Sequence, residues 1–448
     1  MNPELSARYD VHVPRYASYP TVPYWSAPPT QAQWIETLRE ALAAADSHWA
    51  LYVHVPFCES LCTYCGCNTV ITRDHSREDR YIALVLTEWE RYLRDVPELL
   101  SRGVRKVHVG GGTPTFLSTA SLRALLLPIV DRLNIRSEAC DASVEIDPRV
   151  TSAEQLRVLR ELGFSRVSMG VQDFDATVQR LVNRVQPFEL TERLTAEART
   201  LGYASVNYDL IYGLPRQTPE SVRRTAELTV QLAPDRIALF SFAKIPWIQP
   251  AQRLFRDEDL PAGAAKRELY EIARETFLGA GYVEIGMDHF ALPHDSLCQA
   301  KLSGKLHRNF MGYTEFQTSA LLGIGVSAIS ETPSCLHQNE KVEPIYARRI
   351  EAGDIPTLRG HVLTRDDMRA SRQITAFMTR FRVGLEEDQL ADARSFLAPM
   401  VADGLVRIVD GELQLTEAGQ PFLRNAAVFF DHRLRAKEPD RPIFSTAL

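Results

Sequence analysis

Between residues 50 and 240 the chain repeats one pattern, a short apolar run followed by a longer amphipathic stretch. The apolar runs cover 51–55, 106–109, 143–146, 166–169, 205–211 and 236–240. They are continuous or β-rich, which suits parallel strands buried on both faces. The stretches 79–93, 118–133, 151–162, 189–201 and 219–232 repeat apolar residues at three- and four-residue steps and predict helices. Thr151-Ser-Ala-Glu154 fits a capping box, and Thr218-Pro219 puts proline in a first turn. Six such units predict a parallel sheet with right-handed crossovers, either doubly wound or curled into a barrel. The choice turns on special residues at or just past each strand end: a cysteine loop, Gly110-Gly-Gly-Thr-Pro114, Glu145, Gln172, Asp209 and the segment at Ala243. A barrel brings six strand ends to one mouth, whereas an open sheet strings them along an edge. The expected fold is therefore α/β, a partial (β/α)6 TIM-type barrel.

The flanks are less regular. Pro14-Arg-Tyr-Ala-Ser-Tyr-Pro-Thr-Val-Pro23 holds too many prolines for a helix and reads as an extended arm. Helices are expected at 264–278 and 388–403, and Asp410-Gly411 between alternating runs marks a hairpin. Helix and hairpin together look like a winged-helix unit. The expected division is an N-terminal arm and helix over the active site (1–48), a barrel with extension (49–330) and a smaller, mainly helical C-terminal domain (331–448). At 448 residues, more than one domain is expected. A net charge of −6 offers no basic field for nucleic acid, so any anionic substrate needs local Arg, Lys and His. No apolar run is long enough to span a membrane, and the start MNPELSARYD has no signal-sequence pattern.

Four of the seven cysteines, Cys58, Cys62, Cys65 and Cys67, fall within ten residues, while Cys140, Cys298 and Cys335 are scattered and read as core residues. With no signal sequence, the cluster points to a reducing cytoplasm rather than a disulfide scaffold. Zinc ribbons show two separated Cys pairs, and no second pair occurs. A catalytic thiol needs no such neighbours. Cysteines on a loop directly after a strand suit a [4Fe–4S] cluster with one iron left without a protein ligand.

The run C-x3-C-x-aromatic-C, with Tyr64 before the last cysteine, resembles the radical S-adenosylmethionine (SAM) superfamily. That resemblance implies Cys58, Cys62 and Cys65 as cluster ligands, with Cys67 left over. It also implies SAM chelated to the open iron and cleaved to a 5′-deoxyadenosyl radical. Gly110-Gly-Gly-Thr-Pro114 matches the superfamily's glycine motif for the methionine amino group. Gly323-Ile-Gly-Val-Ser-Ala-Ile329 has the wrong spacing for a dinucleotide turn and reads as an apolar wall near adenine.

Further motifs, among them Arg15-Tyr-Ala-Ser-Tyr-Pro-Thr21, Tyr52-Val-His-Val-Pro-Phe-Cys58, Met169-Gly-Val-Gln-Asp-Phe174, Gly286-Met-Asp-His-Phe-Ala291 and His307-Arg-Asn-Phe310, resemble the oxygen-independent coproporphyrinogen III oxidases nearly end to end. The resemblance implies conversion of two propionates of coproporphyrinogen III to vinyl groups in haem biosynthesis. It implies two SAM molecules, the first against Tyr52, Gly111, Glu145 and Ile329. The second would meet Tyr64, Gly112, Thr113, Gln172, Arg184, Asp209 and Ala243. Tyr52, Glu145 and Ile329 are the implied catalytic positions. Arg15, Lys244, His307 and Arg308 are the candidate partners of the substrate's carboxylates, since guanidinium grips carboxylate with two donors. An electron donor, an electron acceptor and a monomeric state are expected. Met311, Ser241-Phe242 and Glu315-Phe-Gln-Thr-Ser-Ala320 depart from the family pattern near the presumed second cofactor and substrate. These departures leave open a radical methyltransferase or haem-opening enzyme. A haem chaperone is a further alternative, although the His-Asn-x-x-Tyr-Trp motif of those relatives is absent.

Overall fold

The computed structural model describes residues 3–133, 135, 136, 139–436, 439 and 443–447. Its centre is the expected alternation. Strands β1 (His48–Val55), β2 (Gly103–Gly111), β3 (Asp141–Ile146), β4 (Arg166–Gln172), β5 (Ser205–Tyr212) and β6 (Arg236–Ser241) pair in parallel in sequence order. Helices α1 (Arg77–Asp95), α2 (Thr119–Leu133), α3 (Ala153–Glu161), α4 (Phe188–Thr200) and α5 (Pro219–Leu232) fall in the gaps between them. The capping box at α3 sits one residue later than expected, with Ser152 and Gln155 as the reciprocal pair. Thr218 caps α5.

After α6 (Gly263–Gly279) the sheet grows at both edges. Strands β7 (Val283–Gly286) and β8 (His289–Ala291) add antiparallel beyond β6. On the other side β9 (Ala320–Ile324) runs parallel to β1, and β10 (Ile329–Thr332), β11 (Cys335–Asn339) and β12 (Thr357–Val362) follow antiparallel. The result is one twelve-stranded sheet that does not close, ordered β12-β11-β10-β9-β1-β2-β3-β4-β5-β6-β8-β7. A seventh parallel strand, β9, thus comes from a segment for which no strand was expected, overlapping the expected apolar wall only at Gly323 and Ile324.

The strands are not apolar on both faces. Val107, Val109, Val144, Met169, Val206 and Leu239 face the helices and form the main core. The alternate residues Lys106, His108, Ser143, Glu145, Ser168, Asn207 and Asp209 line the inner face. Period-two alternation produces this division, and the polar set is what the barrel encloses.

At the barrel floor, Lys106, Arg166 and Arg236 meet Asp141, Asp295 and Glu315. Lys106–Asp141 is 2.9 Å, Arg166–Glu315 2.6 Å, Arg236–Glu315 2.5 Å and Arg236–Asp295 2.6 Å.

The packing divides the chain near residue 364 rather than at 331, because β11, β12 and the core residues Tyr346, Ile350 and Ile355 belong to the main sheet and its core. The C-terminal unit combines α7 (Arg365–Arg380) with an antiparallel ribbon of β13 (Arg382–Gly384), β14 (Val406–Val409) and β15 (Glu412–Leu415). Asp410 and Gly411 turn the expected hairpin with φ of 50° and 77°. The single helix expected over 388–403 is two short ones, Leu390–Phe396 and Ala398–Ala402. Tyr9, Tyr16 and Tyr19 of the N-terminal arm are buried in this unit's core with Phe377, Leu405 and Phe422. The arm reaches the mouth, but the helix after it does not. Gln31–Ala41 packs Trp34 on Tyr92 and His337, and Arg39 donates to the carbonyl of Asp95 where α1 ends. Among the described residues no helix is long and apolar enough to cross a membrane.

Candidate active site

Beyond β1 the cysteine loop is anchored by the glycine motif. The amides of Gly112 and Thr113 donate to the carbonyls of Val55 and Phe57, both at 2.8 Å. Glycine is needed here for packing before any ligand is considered. Gly111 has φ +118°, and a Cβ on it would lie 2.6 Å from the His54 ring. A Cβ on Gly112 would lie 2.5 Å from the carbonyl oxygen of Pro56.

Cys58, Cys62 and Cys65 line one cavity of about 530 Å³, with Cys67 beside them, and all four are free thiols. Cys58 Sγ lies 3.3 Å from Thr113 Oγ1, and burial pushes its thiol up to about 11. Arg149 Nη2 and Arg184 Nη1 donate to Cys62 Sγ at 3.5 and 3.6 Å. Hydrogen bonding from Cys67, whose amide donates at 3.4 Å, brings Cys65 down to about 7. Asp147 holds both arginines, at 2.6 Å to Arg149 and 3.0 Å to Arg184. Arg149 escaped the sequence reading. Its signal was its place just past β3, at the same barrel end as the other site residues.

Two inner-face carboxylates stand below the loop. Glu145 accepts from the Gly111 amide at 3.1 Å and from His108 Nε2 at 3.2 Å. Burial opposes its charge, but His108 and that amide outweigh it and hold the carboxyl below its ordinary range. Asp209 accepts from Asn207 at 2.9 Å and Ser168 at 3.2 Å. Burial first, then the charge of Glu145, pushes Asp209 up to about 7. Asp209 lies within β5, short of its end.

Of the remaining expected cofactor residues, Tyr64, Gln172, Arg184 and Ala243 share this cavity wall. Tyr52 and Ile329 are not in it. The Tyr52 hydroxyl donates to His54 Nδ1 at 3.0 Å, since His54 Nε2–H is committed to the Asn68 carbonyl. Its ring stacks 5.9 Å from that of His108, behind the partner of Glu145. Ile329 opens β10 at the end of a loop braced from α1. Glu88 accepts from the Gly325 amide at 2.8 Å, and the Tyr81 hydroxyl accepts from that of Val326 at 3.1 Å. Burial pushes Glu88 up to about 7. A sequence signal for Glu88 did exist, as an acid on the apolar face of α1, four residues from Leu84 and Tyr92.

The candidate substrate residues separate. Arg15 pairs with Asp288 and lies over the Phe240 ring. Lys244 pairs with Asp257 at 2.6 Å, outside the cavity wall. His307 is half-buried, and burial pushes it down to about 4. Arg308 is buried against Tyr313. Of the departures, Met311, Ser241 and Phe242 line the cavity, but Glu315 is in the floor network and not beside the substrate space.

A family model described as the Radical SAM superfamily matches residues 52–229. The oxygen-independent coproporphyrinogen III oxidase of Pseudomonas aeruginosa is 39% identical over 442 residues, covering 96% of this chain and 95% of that protein. The chain belongs to the oxygen-independent coproporphyrinogen III oxidase family. The Escherichia coli member is 38% identical over 97% of this chain. A solved coproporphyrinogen III oxidase from Escherichia coli, described as a radical SAM enzyme, superposes with a TM-score of 0.86, covering 93% of this chain and 97% of that one. Membership of this oxidase family brings a [4Fe–4S] cluster and SAM as cofactors. The residues present fit them. Among the described residues no three His, Cys, Asp or Glu groups converge on a single metal ion. A four-iron cluster needs no such convergence, because it offers each thiolate a separate iron. Three unbridged thiols around one cavity, with two guanidiniums donating to one sulfur, suit an anionic thiolate-bound cluster.

Proposed function

We propose that this chain performs the reaction its family is named for, in haem biosynthesis. Two propionates of coproporphyrinogen III are oxidatively decarboxylated to vinyl groups, giving protoporphyrinogen IX and two molecules of carbon dioxide. The observation that carries the reading is the meeting of Cys58, Cys62 and Cys65 with Glu145 and Asp209 in one cavity, in a chain that aligns with the family over 96% of its length. When bound, cluster and SAM supply the 5′-deoxyadenosyl radical that takes a hydrogen from the propionate β-carbon.

The chain's own residues bind and orient. Cys58, Cys62 and Cys65 are the iron ligands, and Arg149 and Arg184 stabilise the Cys62 thiolate by donating to it. Glu145, kept ionised by His108, suits the ammonium or ribose of a first SAM, with Gly111 donating to it and Tyr52 stacked on His108 behind it, and Ile329 completing that site from outside the cavity wall. Asp209, Gln172, Arg184, Tyr64, Gly112, Thr113 and Ala243 form the seat of a second SAM. A one-electron donor and an electron acceptor complete the reaction, which takes place in the cytoplasm on a single copy of the chain.

The test is anaerobic turnover of the reconstituted protein with reductant, SAM and coproporphyrinogen III, following 5′-deoxyadenosine and tetrapyrroles by chromatography. Protoporphyrinogen is the expected product. Adenosyl products without decarboxylation would overturn the substrate assignment. Cys62→Ala is expected to abolish both the cluster's absorption and turnover.

A further inference from the structure

A second, larger cavity of about 1030 Å³ lies between the barrel, the arm and the C-terminal unit. Arg15, Ser241 and Asp288 line it, and Ser241 also lines the cysteine cavity, where His289 and Tyr313 stand. The two spaces therefore meet at the end of β6 and the Asp288–His289 corner. The smaller one has to take cluster and cofactor, and the larger lies at the upper end of the range that organic ligands fill, roughly 300–1,000 Å³.

The charges at this neck do not balance. Asp288 is already committed, pairing with Arg15 through one oxygen and with His289 Nδ1 at 2.6 Å through the other. Arg424, 6% exposed, donates to the backbone carbonyls of Val13, Pro14, Thr446 and Ala447. Arg308, 8% exposed, has no carboxylate partner among the described residues. Its guanidinium lies 4.7 Å from the centre of the Tyr313 ring, and its Nε and Nη1 have no hydrogen-bond partner among the described residues. All three guanidiniums feel the field of the same carboxylate, Asp288. A buried cation without a counter-charge is costly, and a guanidinium with empty donors forgoes its strongest bonds.

We propose that Arg308 is the receptor for one carboxylate of the substrate, which fills its empty donors and neutralises the surplus charge at the neck. The inference rests on the porphyrinogen reading above and makes it specific. Arg308 lines neither cavity itself but sits behind Tyr313, which lines the cysteine cavity, so the propionate reaches it past that ring while the macrocycle occupies the larger cavity. Arg15 and Arg424 are positioning residues. Arg15 occupies Asp288, so Asp288 does not neutralise Arg308, and Arg424 fixes the arm that carries Arg15. Lys244 and His307 take no part in carboxylate binding.

The test is equilibrium binding of coproporphyrin III, the stable oxidised tetracarboxylate, and of its neutral tetra-amide, read by fluorescence in protein reconstituted with cluster. The unaltered protein is expected to prefer the acid. Arg308→Gln is expected to weaken the acid at least tenfold while leaving the amide within twofold, and Arg308→Lys to recover part of the preference. Equal weakening of acid and amide would make Arg308 a structural support of Tyr313 and overturn the proposal. So would unchanged binding, or no preference in the unaltered protein. Failure of the reaction assignment shows separately, as absence of protoporphyrinogen from an unaltered protein whose carboxylate preference still depends on Arg308.

Discussion

Glu145 and Asp209 face the same cavity, yet their surroundings pull their acidities in opposite directions. Glu145 has a histidine and a backbone amide donating to it, while Asp209 has two neutral donors and the charge of Glu145 against it. Near neutral pH the first is ionised and the second is at its midpoint, which prepares one firm and one adjustable anion for a cationic sulfonium cofactor. The folded-state value of Asp209 lies above its ordinary one, 3.8. Its contribution to stability is therefore complete below about 4 and is lost as pH rises through about 7. Asp209→Asn removes that loss. In cofactor-free protein the variant is expected to gain about 1–3 kcal/mol on the unaltered chain between pH 5 and pH 8, with solvent in the cavity reducing the effect. Urea midpoints at the two pH values measure it, and a constant difference would mean that Asp209 does not change charge in this interval.

At the scale of elements, the strand–helix order was legible because it rests on local periodicity, and every expected barrel strand formed within a few residues of its forecast. What local periodicity cannot show is which distant residues answer a strand's polar face. The floor network joins Lys106, Asp141, Arg166 and Arg236 to Asp295 and Glu315, across separations of up to about two hundred residues. Read alone, Glu315 looked like a departure from a substrate-side motif. In the fold it closes the far end of the barrel, whereas Arg149 and Glu88 carried local signals, the first just past β3 and the second on the apolar face of α1. The cysteines, Gly111, Gly112, Glu145 and Asp209, which the sequence marked by their own local patterns, do line one cavity. Glu315→Gln leaves three buried cations facing two acids and is expected to cost about 3 kcal/mol of stability in urea unfolding. SAM cleavage and the KM for substrate are expected to stay unchanged in the folded fraction. A raised KM without lost stability would return Glu315 to the substrate site.

On the scale of the whole molecule, the two chain ends are built into the same unit. Tyr9, Tyr16 and Tyr19 complete the C-terminal core, the Tyr16 hydroxyl donates to Asp431 at 3.0 Å, and Arg424 binds carbonyls of both the arm and the tail. The stretch that carries Arg15 to the neck is thus held from behind by a unit that is itself incomplete without the arm. Burying each tyrosine contributes about 2 kcal/mol, so the arm and the unit stabilise each other by more than either end could alone. The barrel has its own core, from Trp34 to Ile355. Arg424→Met keeps the apolar stem but strands the carbonyls of Val13 and Pro14. Under limited trypsin digestion the variant is expected to be cut at Arg8 or Arg15 at least tenfold faster than the unaltered chain, with the barrel fragment surviving. Its binding of coproporphyrin III is expected to fall along with the loss of an ordered Arg15, while cluster incorporation stays normal because the cysteine loop is anchored by β1 and the glycine motif instead. Uniform digestion of barrel and arm together would show that the two units unfold as one, and that the clasp serves the entire chain rather than the mouth it faces.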